Sequence, residues 1–122
     1  MSIKLVIADD APFVVEVVRQ IALEAGFDVV GQAFDGEEAV KIAHHQQPDV
    51  VLLDMVMPKK NGLVVAEEIL SKFPKTKIIA CSTVNDEDLI MKAIGAGCCD
   101  FISKPFSKDE IIRVIEKSVK EN

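Results

Sequence analysis

The sequence predicts an α/β fold, a three-layer sandwich in which a five-stranded parallel sheet of order 2-1-3-4-5 lies between two layers formed by five helices. Two observations predict it. Apolar runs alternate five times with amphipathic stretches, as expected of successive strand–helix units. The connections are also short, so each crossover is right-handed and the helices cover both faces of the sheet. For five strands wound in this way the common spatial order is 2-1-3-4-5, with the switch point between strands one and three.

Residues 3–8 form the first strand and run into Asp9 and Asp10. Pro12 suits the first turn of a helix, and Val14, Val15, Val18, Ile21, Ala22 and Ala25 recur at helical spacing until Gly26. Residues 28–33 give a short second strand. Asp35 with Glu38 three residues on reads as the start of a helix whose stripe is Ala39, Val40, Ile42 and Ala43, closed by Pro48. Residues 49–54 make a third strand without polar alternation, as expected for a central strand covered on both faces.

Pro58 and the Asn61-Gly62 pair mark residues 55–62 as a loop before a helix carrying Leu63, Ala66, Ile69 and Leu70. Residues 77–82 form the fourth strand. Asn85 is expected to cap a helix that carries Leu89, Ile90, Ala93 and Ile94 and stops at Gly95-Ala96-Gly97. Residues 99–103 are the last strand. Ser107 and Glu110 form a capping box for the final helix, with Ile111, Ile112, Val114, Ile115 and Val119 buried.

At 122 residues the chain is expected to be one domain spanning 1–122, burying roughly two-thirds of its unfolded surface. A net charge of −6 argues against a nucleic-acid partner, which would need clustered Lys and Arg. The first apolar run is too short for a signal peptide or membrane span, so a soluble, cytoplasmic protein is expected. Cys81, Cys98 and Cys99 are odd in number and lie in apolar context, which reads as buried, reduced thiols.

The polar residues that end the apolar runs are more informative. Asp9 and Asp10, Asp54, Ser82 and Lys104 each stand at or beyond the carboxyl end of a predicted strand, the edge at which ligands bind in open α/β sheets. Three carboxylates, a hydroxyl and an ammonium in one crevice suit a divalent cation and a phosphoryl group, with one Asp as nucleophile.

These residues also carry a family resemblance. The acidic pair, the run Asp54-Met55-Val56-Met57-Pro58, the strand-ending Ser82, the Gly95-Ala96-Gly97 turn and Lys104-Pro105-Phe106 resemble, in order and spacing, the receiver domain of two-component response regulators. The match covers essentially the whole chain and implies a flavodoxin-like fold, for which the 2-1-3-4-5 order is known. The length looks like that of a stand-alone, CheY-type regulator.

By that resemblance Asp54 is the phosphoacceptor, taking a phosphoryl group from a phosphohistidine of a sensor histidine kinase. Asp9, Asp10, Asp54 and the backbone carbonyl of Val56 would hold Mg2+, with Mn2+ able to substitute. Lys104, Ser82 and the backbone of Thr83 would contact phosphoryl oxygens, and the Lys104-Pro105 bond would be cis. Ser82 and Phe101 would form the switch, and the face of helix four, strand five and helix five would change its affinity for a partner. Phe101 lacks the hydroxyl of the Tyr often found there. The chain would be a phosphoacceptor and not an enzyme, though it promotes its own phosphorylation and dephosphorylation.

Val56 and Val84 depart from the commonest pattern. Both are apolar and would flank the route of the hydrolytic water, while Thr83 is larger than the Ala or Gly often found there; a slowly hydrolysed phosphate is the expectation. Chemotaxis, with a flagellar motor switch protein as downstream partner, is the leading output; a phosphorelay or a phosphate sink is the alternative, and a phosphatase is a further partner. A monomer is expected. The run Glu16, Arg19, Gln20 and Glu24 reads equally as a solvent face or a kinase dock, and His44-His45 reads as a solvated pair. A small haloacid-dehalogenase-like phosphatase would share the Asp, Ser, Lys and Mg2+ set, but its nucleophile lies in an Asp-x-Asp motif on the first strand and it carries a cap. A flavodoxin would need a Ser/Thr/Gly-rich phosphate cradle, which the first loop lacks.

Overall fold

Five parallel strands, β1 (Lys4–Ala8), β2 (Asp28–Ala33), β3 (Val50–Asp54), β4 (Lys77–Ser82) and β5 (Asp100–Ser103), form one sheet of order β2-β1-β3-β4-β5. The structure, a computed structural model, describes residues 2–84 and 86–120. Five helices follow the strands in turn: α1 (Pro12–Glu24), α2 (Gly36–Gln46), α3 (Gly62–Lys72), α4 (Glu87–Gly95) and α5 (Lys108–Lys120). β3 is buried along its whole length, which explains why its sequence shows no polar alternation.

Alternation along each strand sends side chains to two separate cores. Val6, Val51, Leu53, Ile78 and Ala80 pack with Ala39, Ala43, Val65, Ala66, Ile69 and Ala93, which places α2, α3 and α4 on one face. Leu5, Ile7, Leu52, Ile79 and Ile102 pack with Val15, Val18, Ala22, Ile111 and Ile115, which places α1 and α5 on the other. Leu53 and Ile69 are wholly buried. Truncating either to Ala would cost about 3 kcal/mol through lost contacts and the cavity left behind.

Helix starts follow the capping chemistry. Asp35 accepts from Glu38 N at 2.8 Å, Asn61 from Val64 N at 3.0 Å and Ser107 from Glu110 N at 3.1 Å. α4 corrects the expectation of an Asn85 cap: Asp86 accepts from Leu89 N at 2.7 Å, and Asn85 lies outside the described residues. α2 ends at Gln46, and its C-cap Gln47, just before Pro48, has a left-handed φ of 47°.

Three further expectations need correction. Ile94 is 54% exposed, because the stripe that meets the sheet is Leu89, Ala93 and Ala96, and Ile94 lies one residue, or about 100°, round from it. Cys99 is exposed while Cys98 is buried, since neighbours in an extended segment point to opposite sides; β5 itself begins at Asp100. His44 is half-buried, its ring meeting that of Phe73 edge-on at 5.4 Å, and its Nε2 is buried without a hydrogen-bond partner among the described residues. His45 is exposed as expected.

Candidate functional site

Parallel register brings the ends of four strands level. Ala8 is opposite Leu53, Asp54 opposite Cys81 and Ser82 opposite Ser103, so Asp9, Asp54, Ser82 and Lys104 reach one edge together. Backbone bonds carry the ladder slightly further: Met55 N donates to Cys81 O at 2.9 Å and Lys104 N to Ser82 O at 2.8 Å.

Asp9, Asp10 and Asp54 each bring a carboxylate oxygen to within 4.8 Å of the others. Lys104 Nζ donates to Asp9 Oδ2 at 2.5 Å and lies 3.5 Å from Asp54 Oδ2. Asp9, Asp54 and Ser82 are buried, whereas Asp10 is exposed.

The same local device fixes three of these side chains. Asp9 Oδ1 accepts from Ala11 N at 2.9 Å, Asp54 Oδ1 from Val56 N at 3.2 Å, and Ser82 Oγ from Val84 N at 3.0 Å. Each is a side-chain bond to the amide two residues on, which tightens the turn leaving its strand. For both aspartates this occupies one oxygen and leaves Oδ2 facing Lys104. Ser82 is thus a turn hydroxyl in this conformation, with its proton still available to a second acceptor.

Burial raises the Asp54 carboxyl above its ordinary value; the Val56 amide and the Lys104 charge oppose that shift, and the Asp9 charge adds to it. Burial also disfavours the Lys104 ammonium, but the Asp9 hydrogen bond and the charges of Asp54 and Asp9 outweigh it and hold Lys104 above its ordinary value. Two buried carboxylates and an exposed one against a single ammonium leave an excess of negative charge, offered entirely through hard oxygen atoms. That donor set fits a small divalent cation such as Mg2+.

The remaining predicted positions lie on the segments that leave β3 and β4 and on β5. Val56 and Val84 are 62% and 47% exposed, and Thr83 is exposed beside Lys104. Phe101 lies opposite Ala80 and is partly buried against the α2, α3 and α4 core. The Lys104-Pro105 peptide bond is cis. A groove lined by Gln47, Pro48, Phe73 and Lys75 lies at the opposite edge of the sheet.

Phe13, Val17, Pro105 and Phe106 line an apolar groove next to Lys104 that sequence reasoning missed, and Phe13 is 79% exposed. The signal was present: Phe13 and Val17 are spaced i, i+4 beside the buried stripe of Val15, Val18 and Ala22. On the rest of α1, Glu16 pairs with Arg19 at 2.7 Å and accepts from Gln20 at 2.9 Å, which lowers its carboxyl to about 2. Glu24 pairs with Lys108 of α5.

Residues 5–116 match the model of the family described as the response regulator receiver domain. Over 118 residues the chain is 39% identical to the chemotaxis protein CheY of Listeria monocytogenes, covering 97% of this chain and 99% of that one. It is 37% identical over 117 residues to the chemotaxis protein CheY of Thermotoga maritima, covering 96% and 98%. Among solved structures, the CheX–CheY–BeF3–Mg complex of Borrelia burgdorferi superposes with a TM-score of 0.89 at 30% identity, over 94% of this chain and 87% of that chain. The chain belongs to the response regulator receiver domain family. Receiver domains are signalling switches of two-component systems, and this one is CheY-like over nearly its whole length. No helix among the described residues is long and apolar enough to cross a membrane.

Proposed function

We propose that the chain is a phosphorylation-activated switch, a single receiver domain over residues 1–122, that takes a phosphoryl group from a sensor kinase phosphohistidine onto Asp54. The observation that carries this is the cluster of Asp9, Asp10 and Asp54 within 4.8 Å, with the Lys104 ammonium against two of the three. In the transfer an Asp54 oxygen forms the new P–O bond as the P–N bond breaks, and the electron pair leaves on the imidazole nitrogen. A carboxylate is a weak nucleophile, so catalysis lies in alignment and charge neutralisation.

Asp9, Asp10, Asp54 and the Val56 carbonyl are the ligands for Mg2+, which supplies charge neutralisation at the phosphoryl oxygens; Mn2+ is an acceptable substitute. Lys104 and the hydroxyl of Ser82 contact phosphoryl oxygens, joined by the Thr83 backbone. For Ser82 this means giving up its bond to Val84 N, so the turn after β4 rearranges as the hydroxyl closes on the phosphate. Phe101, on the neighbouring strand, responds by repacking, and the α4–β5–α5 face changes its affinity for a partner. Exposed Met91 and Ile94 supply apolar contact on that face.

Likeness to chemotaxis proteins over nearly full length supports chemotaxis as the output, with a motor switch protein as partner, ahead of a phosphorelay or phosphate-sink role. A phosphatase is a further candidate partner, and the working form is a cytoplasmic monomer. The test is incubation with acetyl phosphate, with and without Mg2+, read by intact mass. One Mg2+-dependent phosphoryl adduct, absent in Asp54→Ala, is expected. An adduct that persists in that variant would remove Asp54 from its role.

A further inference from the structure

We infer that the first turn of α2, through Gly36 and Asp35, is a positioning element for phosphoryl transfer: it holds the β3–α3 loop, and with it the Val56 backbone, in register with Asp54. The inference rests on Asp54 being the phosphoacceptor.

The loop is pinned at its base by Gly62, whose N–H donates to the Met55 carbonyl at 3.0 Å. The backbones there approach so closely that a Cβ on Gly62 would sit 2.6 Å from the Asp54 carbonyl oxygen. The tip is held from outside the loop. Gly36 N–H, one of the amides a first helical turn leaves without an intrahelical partner, donates to the Pro58 carbonyl at 3.1 Å. A Cβ on Gly36 would run into the Lys60 backbone carbonyl, so the helix and the loop can meet only because residue 36 is glycine.

Charge adds a second tie. Lys59 Nζ lies 3.6 Å from Asp35 Oδ2, while Oδ1 of the same aspartate caps α2. Lys59 has a φ of 70°, a left-handed conformation that costs a lysine free energy unless its surroundings hold it. At the inner end of the loop, Val56 N donates to Asp54 Oδ1 at 3.2 Å, so a displaced loop is felt at the nucleophile itself. None of Gly36, Asp35 or Lys59 belongs to the acidic cluster.

Two variants test this. Gly36→Ala keeps a good helix former in the first turn but brings the colliding Cβ; Asp35→Asn keeps a cap and removes the charge pair. Mg2+ is titrated against the amide NMR signals of Asp54 and Val56, and acetyl phosphate labelling is followed across Mg2+ concentrations by intact mass. The half-saturating Mg2+ concentration should rise about tenfold in Gly36→Ala, the lower end of what outer-shell changes cost, and by less in Asp35→Asn. Labelling should largely recover at saturating Mg2+.

A lower melting temperature with unchanged half-saturation would mean an ordinary structural role and overturn the inference. Should Gly36→Ala fail to fold, unchanged half-saturation in Asp35→Asn overturns it alone. Wild type that takes up no phosphoryl group at Asp54 sinks the underlying reading and the inference together. Normal wild-type labelling with unaltered variants sinks only the positioning role.

Discussion

Asp54 carries opposing demands. Burial raises its carboxyl above its ordinary value, so the folded chain holds that proton more tightly than the unfolded one does. Its contribution to stability is complete below the unfolded value and is lost as pH rises through the folded one; at neutral pH the ionised group costs stability. Asp54→Asn should therefore raise the melting temperature at neutral pH in Mg2+-free buffer, and the gain should vanish as pH falls below the carboxylate range. A variant that melts at or below wild type at neutral pH would show that the Lys104 pair outweighs desolvation. Val56, tied to Asp54, and Val84, tied to Ser82, stand exposed, and neither can hydrogen-bond water through its side chain. Replacing both with polar residues should speed loss of the phosphoryl group by about tenfold or more, read as decay of the adduct mass; an unchanged rate would refute their part in its lifetime.

At the level of the element, caps and stripes were legible where one residue type had one sensible use. Asp35 and Ser107 each cap the helix assigned to them, while Asn61, read only as a turn signal, caps α3 as well. After β4 the cap was assigned to Asn85, whereas Asp86, the next residue, accepts from Leu89 N. Asp86→Ala should cost about 1 kcal/mol in denaturant unfolding, whereas a neutral result would mean that the bond to Leu89 N contributes nothing. Apolar residues beyond the buried stripe were read less well. Ile94 was assigned to the core and is exposed, while Val65 of α3 was passed over and is wholly buried. A stripe read one residue out of phase turns an exposed apolar contact into a supposed core residue. Cys98 and Cys99 illustrate the same point in extended backbone, and an aromatic disulfide reagent should modify Cys99 in the native protein while Cys81 and Cys98 wait for unfolding. Burial supports this by holding the Cys81 thiol far above its usual range and pushing Cys98 up to about 12.

For the whole molecule, the strand order was readable because short right-handed crossovers leave few alternatives, and the order in turn places Asp9 beside Asp54. The brace from α2 was not readable, since the meeting of Gly36 with Lys60 depends on how two loops from different strand–helix units lie against each other. A ligand held only by the folded state stabilises it, so Mg2+ at a hundredfold excess over its dissociation constant should add about 2.7 kcal/mol. That gain should fall away in Asp9→Asn, measured by thermal unfolding in Mg2+ and in EDTA. The Lys104 to Asp9 contact spans 95 positions of sequence and joins the last strand to the first. A chain emerging from the ribosome therefore carries its acids long before it carries their cation, and the cluster gains its ammonium only once β5 is made and docked.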